Sequence, residues 1–114
     1  MATLDTKGPE AAFVKERIES SGYETLILDT GILAQRDSST PVPHVPADEI
    51  ARQGGEDRSD LIARSAEKET RNRGIRAMAE GSAKILRQLF DEGRIGAVIG
   101  LGGAQGTEIS TCAM

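Results

Sequence analysis

The stretch IGAVIGLGGAQGT, residues 95–107, decides the fold, because it joins a short apolar run to a cluster of glycines. Residues 95–101 predict a buried strand, residues 102–106 a tight turn, and residues 107–114 the start of a helix. A strand that runs through a glycine turn into a helix is typical of α/β proteins. We therefore expect an α/β fold with a Rossmann-like open parallel sheet and flanking helices.

The glycine turn is the strongest candidate for a binding site. Glycine lets the backbone approach a ligand closely, and free N–H groups at a helix N-terminus favour an anion, most often a phosphate. The spacing fits neither the P-loop nor the usual dinucleotide fingerprint. The alternative is a strand–helix turn that needs glycine only for its shape. The predicted ligand-binding residues of this turn are Gly102, Gly103, Gln105, Gly106 and Thr107.

A second candidate turn, Asp5–Gly8, follows what looks like the end of another strand at residues 2–4. Ligands of open parallel sheets lie outside the carboxyl ends of the strands, so the two turns are expected to meet there. Thr6 and Gly8 are predicted to contact a phosphate, Lys7 to supply a cation, and Asp5 to hold a metal ion or a hydroxyl. The alternative is a helix cap with a solvated lysine.

Asp29 is the third candidate, because it ends a predicted strand at residues 25–29 and lies about 20 residues after the first turn. In dinucleotide-binding folds an acidic residue in this place accepts a hydrogen bond from a ribose hydroxyl. An exposed turn carboxylate is the alternative interpretation.

The remaining sequence alternates helices with irregular segments. Residues 9–21 predict a helix, and prolines indicate a surface loop over 35–57 with one short helix at 47–52. Residues 58–91 predict a long helical region with a break near 72–74. Its second half has the clearest apolar face. The residues predicted to form that face are Ile75, Met78, Ala79, Ser82, Ile85, Leu86, Leu89 and Phe90.

Composition restricts the function further. With 114 residues and a net charge of −4, the chain predicts one small domain with no nucleic-acid partner. One cysteine excludes an internal disulfide and fits a reducing compartment, and one histidine cannot complete a His/Cys metal cage. No apolar run is long enough to span a bilayer and no leader pattern is present, so we expect no membrane partner and a cytoplasmic location.

Two long segments resemble a known family. Residues 2–33, ATLDTKGPEAAFVKERIESSGYETLILDTGIL, and residues 73–114, RGIRAMAEGSAKILRQLFDEGRIGAVIGLGGAQGTEISTCAM, resemble the Tm-one-like ATP-binding domain family, which includes a tomato mosaic virus resistance protein. The specific parts are LDTKG and GLGG–xx–GT in this order. Ala104–Gln105 differs from the Ser–Gly of many relatives, which removes one hydroxyl donor.

The resemblance implies ATP as cofactor, with or without Mg²⁺, bound by both turns. It also implies that residues 1–114 form the N-terminal part of a larger α/β domain with two halves, cut at both ends. Because the plant member binds a viral replication protein, a protein partner is expected as well, together with assembly as a homo-oligomer. Whether ATP is hydrolysed stays open, since no general base is identifiable.

Two other functions remain open at this point. In the first, the chain is a protein-interaction module with structural glycine turns, which uses the loop at 35–57 or the charged helix face around Arg64 and Lys68. In the second, it is an enzyme that acts on a small phosphorylated or carboxylated metabolite at the same anion site.

Overall fold

The computed structural model describes residues 1–33 and 39–114. These residues form five α-helices: α1 Leu4–Ser20, α2 Ala47–Gln53, α3 Arg58–Ala63, α4 Lys68–Asp91 and α5 Ala104–Ala113. The predicted short helix at 47–52 is confirmed as α2. The beginning of the predicted loop, residues 35–38, lies outside the described residues.

Helix α1 begins earlier than the sequence predicts, at Leu4 rather than at Pro9. The backbone N–H groups of Thr6 and Lys7 both donate to the carbonyl of Thr3, at 3.0 and 2.8 Å, and form a first turn. Lys7 then leaves helical geometry, with φ −127° and ψ 27°. Pro9 has no N–H to donate, so it is tolerated in the first turn of the helix that continues after this kink.

The expected Rossmann-like parallel sheet is wrong, because the described residues contain no strand. The predicted strands lie side by side but pair only at isolated parallel bridges. Ala2 is bridged to Asp29 on one side and to Leu101 on the other, and Leu28 is bridged to Val45. The expected α/β fold class is therefore wrong as well, and the described residues form a helical fold with one layer of bridged segments.

The pairing around Ala2 does not extend into a ladder. Each neighbour of Ala2 is bridged to it at one residue, and α1 begins two residues later, at Leu4. On the outer side, Gly96 and Gly100 weaken strand formation in residues 95–101. That run is also not buried as predicted, since the Ile99 side chain is 49% exposed.

Two hydrophobic clusters lie on opposite sides of the bridged segments. Leu28 packs with α2, α4 and α5 in the larger cluster, whereas Ile27 packs with Ala2, Leu4 and Ala11 in the smaller one. Successive residues of an extended segment point to opposite faces, so Ile27 and Leu28 separate the two clusters.

The predicted apolar face of α4 is largely confirmed. Met78, Leu86 and Leu89 are buried, whereas Phe90 is 63% exposed and does not belong to the core. The break in the helical region comes between α3 and α4, at residues 64–67, and not at 72–74. The helix predicted from residue 107 begins three residues earlier, at Ala104.

Helices α2 and α4 cross in very close contact at two glycines. An ideal Cβ on Gly81 would lie 1.9 Å from the carbonyl oxygen of Ile50, and one on Gly54 would lie 2.0 Å from that of Ala77. Ile50 is fully buried at this crossing. The absence of both side chains therefore sets the distance between the two helices.

Candidate functional site

The three parallel bridges bring the candidate residues to one edge of the bridged segments. Because the segments run in the same direction, residues 3–8, 29–33 and 102–107 all follow them at this edge, which we call the shared edge. Thr3 contacts the segment that leads into α5 and the first turn of that helix. Its N–H donates to the carbonyl of Leu101 at 3.2 Å, and its Cγ2 lies 3.1 Å from where a Cβ on Gly106 would be.

The N-terminus of α5 is open at the shared edge. Gly103 is the N-cap residue, with φ −76° and ψ −153°, and no side chain caps the helix. Within residues 1–33 and 39–114, no atom beyond its chain neighbours lies within 4 Å of an ideal Cβ on Gly103, and Gln105 and Thr107 are exposed. The first N–H groups of a helix have no acceptor within it. They are available here to an anion.

The other two glycines of the turn have a structural role. A Cβ on Gly102 would lie 2.5 Å from the Cα of Gly106, and one on Gly106 would meet Thr3. These contacts hold the first turn of α5 against the bridged segments. Gly102 and Gly106 are therefore needed for the shape of the turn, as in the alternative interpretation. A side chain at Gly103, in contrast, would point into open space.

Asp29 and Asp5 tie the shared edge together through backbone N–H groups. The buried Asp29 carboxylate accepts from the N–H of Leu4 at 3.3 Å and of Gly31 at 2.9 Å. The Asp5 carboxylate accepts from the N–H of Leu33 at 2.8 Å. Asp29 is thus not the exposed turn carboxylate of the alternative interpretation, and both acidic side chains hold the segment at residues 31–33.

Thr6 and Lys7 lie at the surface of the same edge. The Oγ1 atoms of Thr6 and Thr3 are 3.2 Å apart. The Lys7 ammonium donates to the Glu10 carboxylate at 2.7 Å, and this hydrogen bond lowers the pKa of Glu10 below its ordinary value. Since exposed ion pairs are weak, Lys7 can exchange Glu10 for an anionic ligand.

Two buried hydroxyl groups near the shared edge have no hydrogen-bond partner among the described residues. They belong to Thr30, which directly follows Asp29, and to Thr40. The Thr40 hydroxyl lies 2.2 Å from where a Cβ on Gly8 would be, so it faces the kinked start of α1. Buried hydroxyls normally find a partner.

Arg58 is a residue of the site that sequence reasoning missed. Its guanidinium donates to the carbonyl of Gly31 at 3.2 Å and to that of Leu33 at 2.6 Å. Arg58 and Asp5 thus hold the same short segment from two sides. No local signal could have revealed this, because the bonded residues lie 27 and 25 positions away in the sequence.

Two arginines of the charged face considered for a protein partner form ion pairs within the chain. Arg64 forms an ion pair with Glu67 at 3.0 Å and Arg73 with Glu56 at 2.6 Å. Arg64 lowers the pKa of Glu67, and Glu56 raises the pKa of Arg73, in both cases chiefly through the side-chain hydrogen bond. These ion pairs do not test the interaction hypothesis, which stays a prediction.

Residues 1–33 and 39–114 contain no group of three or more His, Cys, Asp or Glu side chains placed to hold a metal ion. Among their helices, not one combines the length and apolar character needed to traverse a bilayer.

Comparison with known proteins gives a different family from the expected one. The model of the N-terminal domain of an uncharacterised protein family, UPF0261, matches residues 1–114. The assignment to the Tm-one-like family is therefore wrong, and the ATP-binding label that came with it has no support from the comparisons. No solved structure matches the chain.

Similar proteins come from several bacteria. A UPF0261 protein of Clostridium tetani is 38% identical over 114 residues, which is all of this chain and 26% of that protein. One from Mesorhizobium japonicum is 32% identical over 122 residues, again all of this chain and 26% of the relative. One from Brucella suis is 28% identical over 113 residues, covering 96% of this chain and 25% of the relative. The chain thus spans about a quarter of these relatives.

Proposed function

Since the chain belongs to the UPF0261 family of uncharacterised proteins, we propose from its own geometry that the shared edge binds a small phosphate-bearing ligand. The open N-terminus of α5 carries this proposal: Gly103 supplies no cap, and apart from its chain neighbours the described residues leave the position of a Cβ on Gly103 free to 4 Å. A nucleotide such as ATP is one member of the ligand class and serves as one probe of it.

The electrostatics of the shared edge favour a phosphate at α5. The aligned peptide groups give a helix N-terminus about half a positive charge, and its N–H groups point at the ligand. Lys7 lies at the same edge and pairs with Glu10, a partner that an anionic ligand can replace because exposed ion pairs are weak.

Thermal unfolding in the presence of phosphate compounds tests the proposal. We expect inorganic pyrophosphate or Mg-ATP to raise the melting temperature of the protein, because a ligand at about 100 times its dissociation constant adds roughly 2.7 kcal/mol to the free energy of unfolding. Chloride at equal ionic strength is the control and should produce no comparable shift. If no phosphate compound stabilises the folded protein at millimolar concentration, the proposal is wrong.

A further inference from the structure

The segment at residues 95–101 has one backbone edge without a partner. Its other edge faces the central segment: the amino group of Met1 donates to the carbonyl of Ile99 at 2.8 Å, and the N–H of Leu101 donates to the carbonyl of Met1 at 2.9 Å. Alternate residues of an extended segment direct their backbone groups to opposite edges, so those of Val98 and Gly100 face away from Met1. Among residues 1–33 and 39–114, no hydrogen bond reaches these groups. We call this side of residues 95–101 the outer edge.

The outer edge lacks the features that keep an exposed edge unpaired. Proteins protect such edges with lysine, proline or inward-pointing charges, because free N–H and C=O groups invite another segment to pair with them. Residues 95–102, IGAVIGLG, contain no charged residue and no proline. Ala97, Ile99 and Gly100 are nevertheless exposed. This composition indicates an edge that other polypeptide covers.

A hollow beside the outer edge leaves apolar side chains uncovered on the α1 side of the bridged segments. It has a volume of about 1230 Å³ and lies between α1 and residues 93–101. Val14 and Ile18 of α1 line it on one side, and Ile95 and Ile99 on the other. Small-molecule sites measure roughly 300–1,000 Å³, so this volume suits the packed side chains of a polypeptide better than a small ligand. We call it the α1 hollow.

The related proteins contain enough polypeptide to cover both features. The matching family model describes an N-terminal domain, and the chain spans 26% of the relatives from Clostridium tetani and Mesorhizobium japonicum. About three quarters of such a protein therefore lies outside this domain. Because that part belongs to the same molecule, it can cover the outer edge without the entropy cost of bringing a second molecule to it.

We propose that, in a full-length UPF0261 protein, part of the chain outside this domain pairs with the outer edge and fills the α1 hollow. An extended segment would exchange backbone hydrogen bonds with Val98 and Gly100. Its apolar side chains would pack on Ile99 and on α1. The proposed phosphate site plays no part in this docking surface.

Amide hydrogen exchange in a full-length UPF0261 protein that carries this domain tests the pairing. We expect the N–H groups of Val98 and Gly100 to exchange at least roughly a hundredfold more slowly than those of an unstructured peptide, because a paired N–H exchanges only when its hydrogen bond opens. Val42 is the internal control, since it is 84% exposed and its N–H has no partner among the described residues. If Val98 and Gly100 exchange as fast as Val42, the outer edge is not covered and the proposal is wrong.

Photo-crosslinking from position 99 identifies the occupant of the α1 hollow. In the full-length protein, Ile99 is replaced by the photoreactive amino acid p-benzoylphenylalanine, and the crosslinked peptides are identified by mass spectrometry. We expect a crosslink within a single chain, to a peptide outside the domain of residues 1–114. The same replacement at Val42, which does not line the α1 hollow, should give no such crosslink. A product of twice the mass of the protein would assign the hollow to a second copy, and a crosslink confined to residues 1–114 would show that it stays uncovered; either result overturns the proposal.

Discussion

Replacing Gly81 with alanine is expected to lower the free energy of unfolding by about 3 kcal/mol, at the upper end of what overpacking costs. The added methyl group would lie 1.9 Å from the carbonyl oxygen of Ile50 and 3.0 Å from the backbone nitrogen of Gly54. Both are backbone atoms, so no side chain can rotate away. The strain must separate α2 from α4, which share the larger hydrophobic cluster.

Gly74→Ala in the same helix is the matched control, and equilibrium unfolding in urea compares the two variants. A Cβ on Gly74 meets only side-chain atoms of Leu61 and Ile32, the nearest at 3.7 Å, which is ordinary contact. Alanine should therefore stabilise the helix by about 0.5–1 kcal/mol relative to glycine. A Gly81→Ala protein as stable as the wild type would show that the helices do not cross in the close contact described above.

Replacing Gly103 with aspartate is expected to abolish phosphate binding without unfolding the protein. The new side chain would occupy open space at the N-cap of α5, where aspartate is a favourable residue. Its carboxylate would accept from the N–H groups that we assign to the ligand, and it would repel an incoming anion. The stabilisation of roughly 2.7 kcal/mol expected with saturating ligand should disappear, whereas the unliganded protein melts at the same or a slightly higher temperature.

The Gly103→Asn variant shows whether the charge of the new side chain or its size prevents phosphate binding. Asparagine has the same size and also caps helices, but it does not repel an anion. We expect its ligand-induced shift in melting temperature to be intermediate between those of the wild type and Gly103→Asp. A full shift in the Gly103→Asp protein would mean that the phosphate does not bind at α5.

Local signals in the sequence were sufficient to identify most helices and the glycine turn before α5, whereas the predicted turn at residues 5–8 belongs to α1. The spacing of Met78, Leu86 and Leu89 marks the buried face of α4, because a helix repeats its faces at that interval. The periodicity of a segment shows which of its side chains could be buried, but it does not show whether another segment packs over them. This is why Phe90 and Ile99 were wrongly assigned to the interior.

Long-range pairing was beyond the reach of the sequence. The extended segments pair at isolated bridges, and the local sequence of each segment does not give the partner or the register of a bridge. The role of Arg58 depends on acceptors in a distant segment, and a single arginine in a polar helix gives no sign of them. Asp29 was identified from the sequence as a candidate site residue. Its burial was not, because that depends on the N–H groups of Leu4 and Gly31, which donate to its carboxylate in the folded chain.

The position of Ala2 between two partners has a consequence for the order in which the chain assembles. Its bridges connect it to Asp29 and to Leu101, 27 and 99 positions away in the sequence, whereas α2, α3 and α4 contact one another within residues 47–91. Bringing distant residues together costs more loop-closure entropy than local contacts do, so these bridges form late and open early. A molecule bound across residues 3–8 and 102–107 would fasten segments that lie far apart in the sequence.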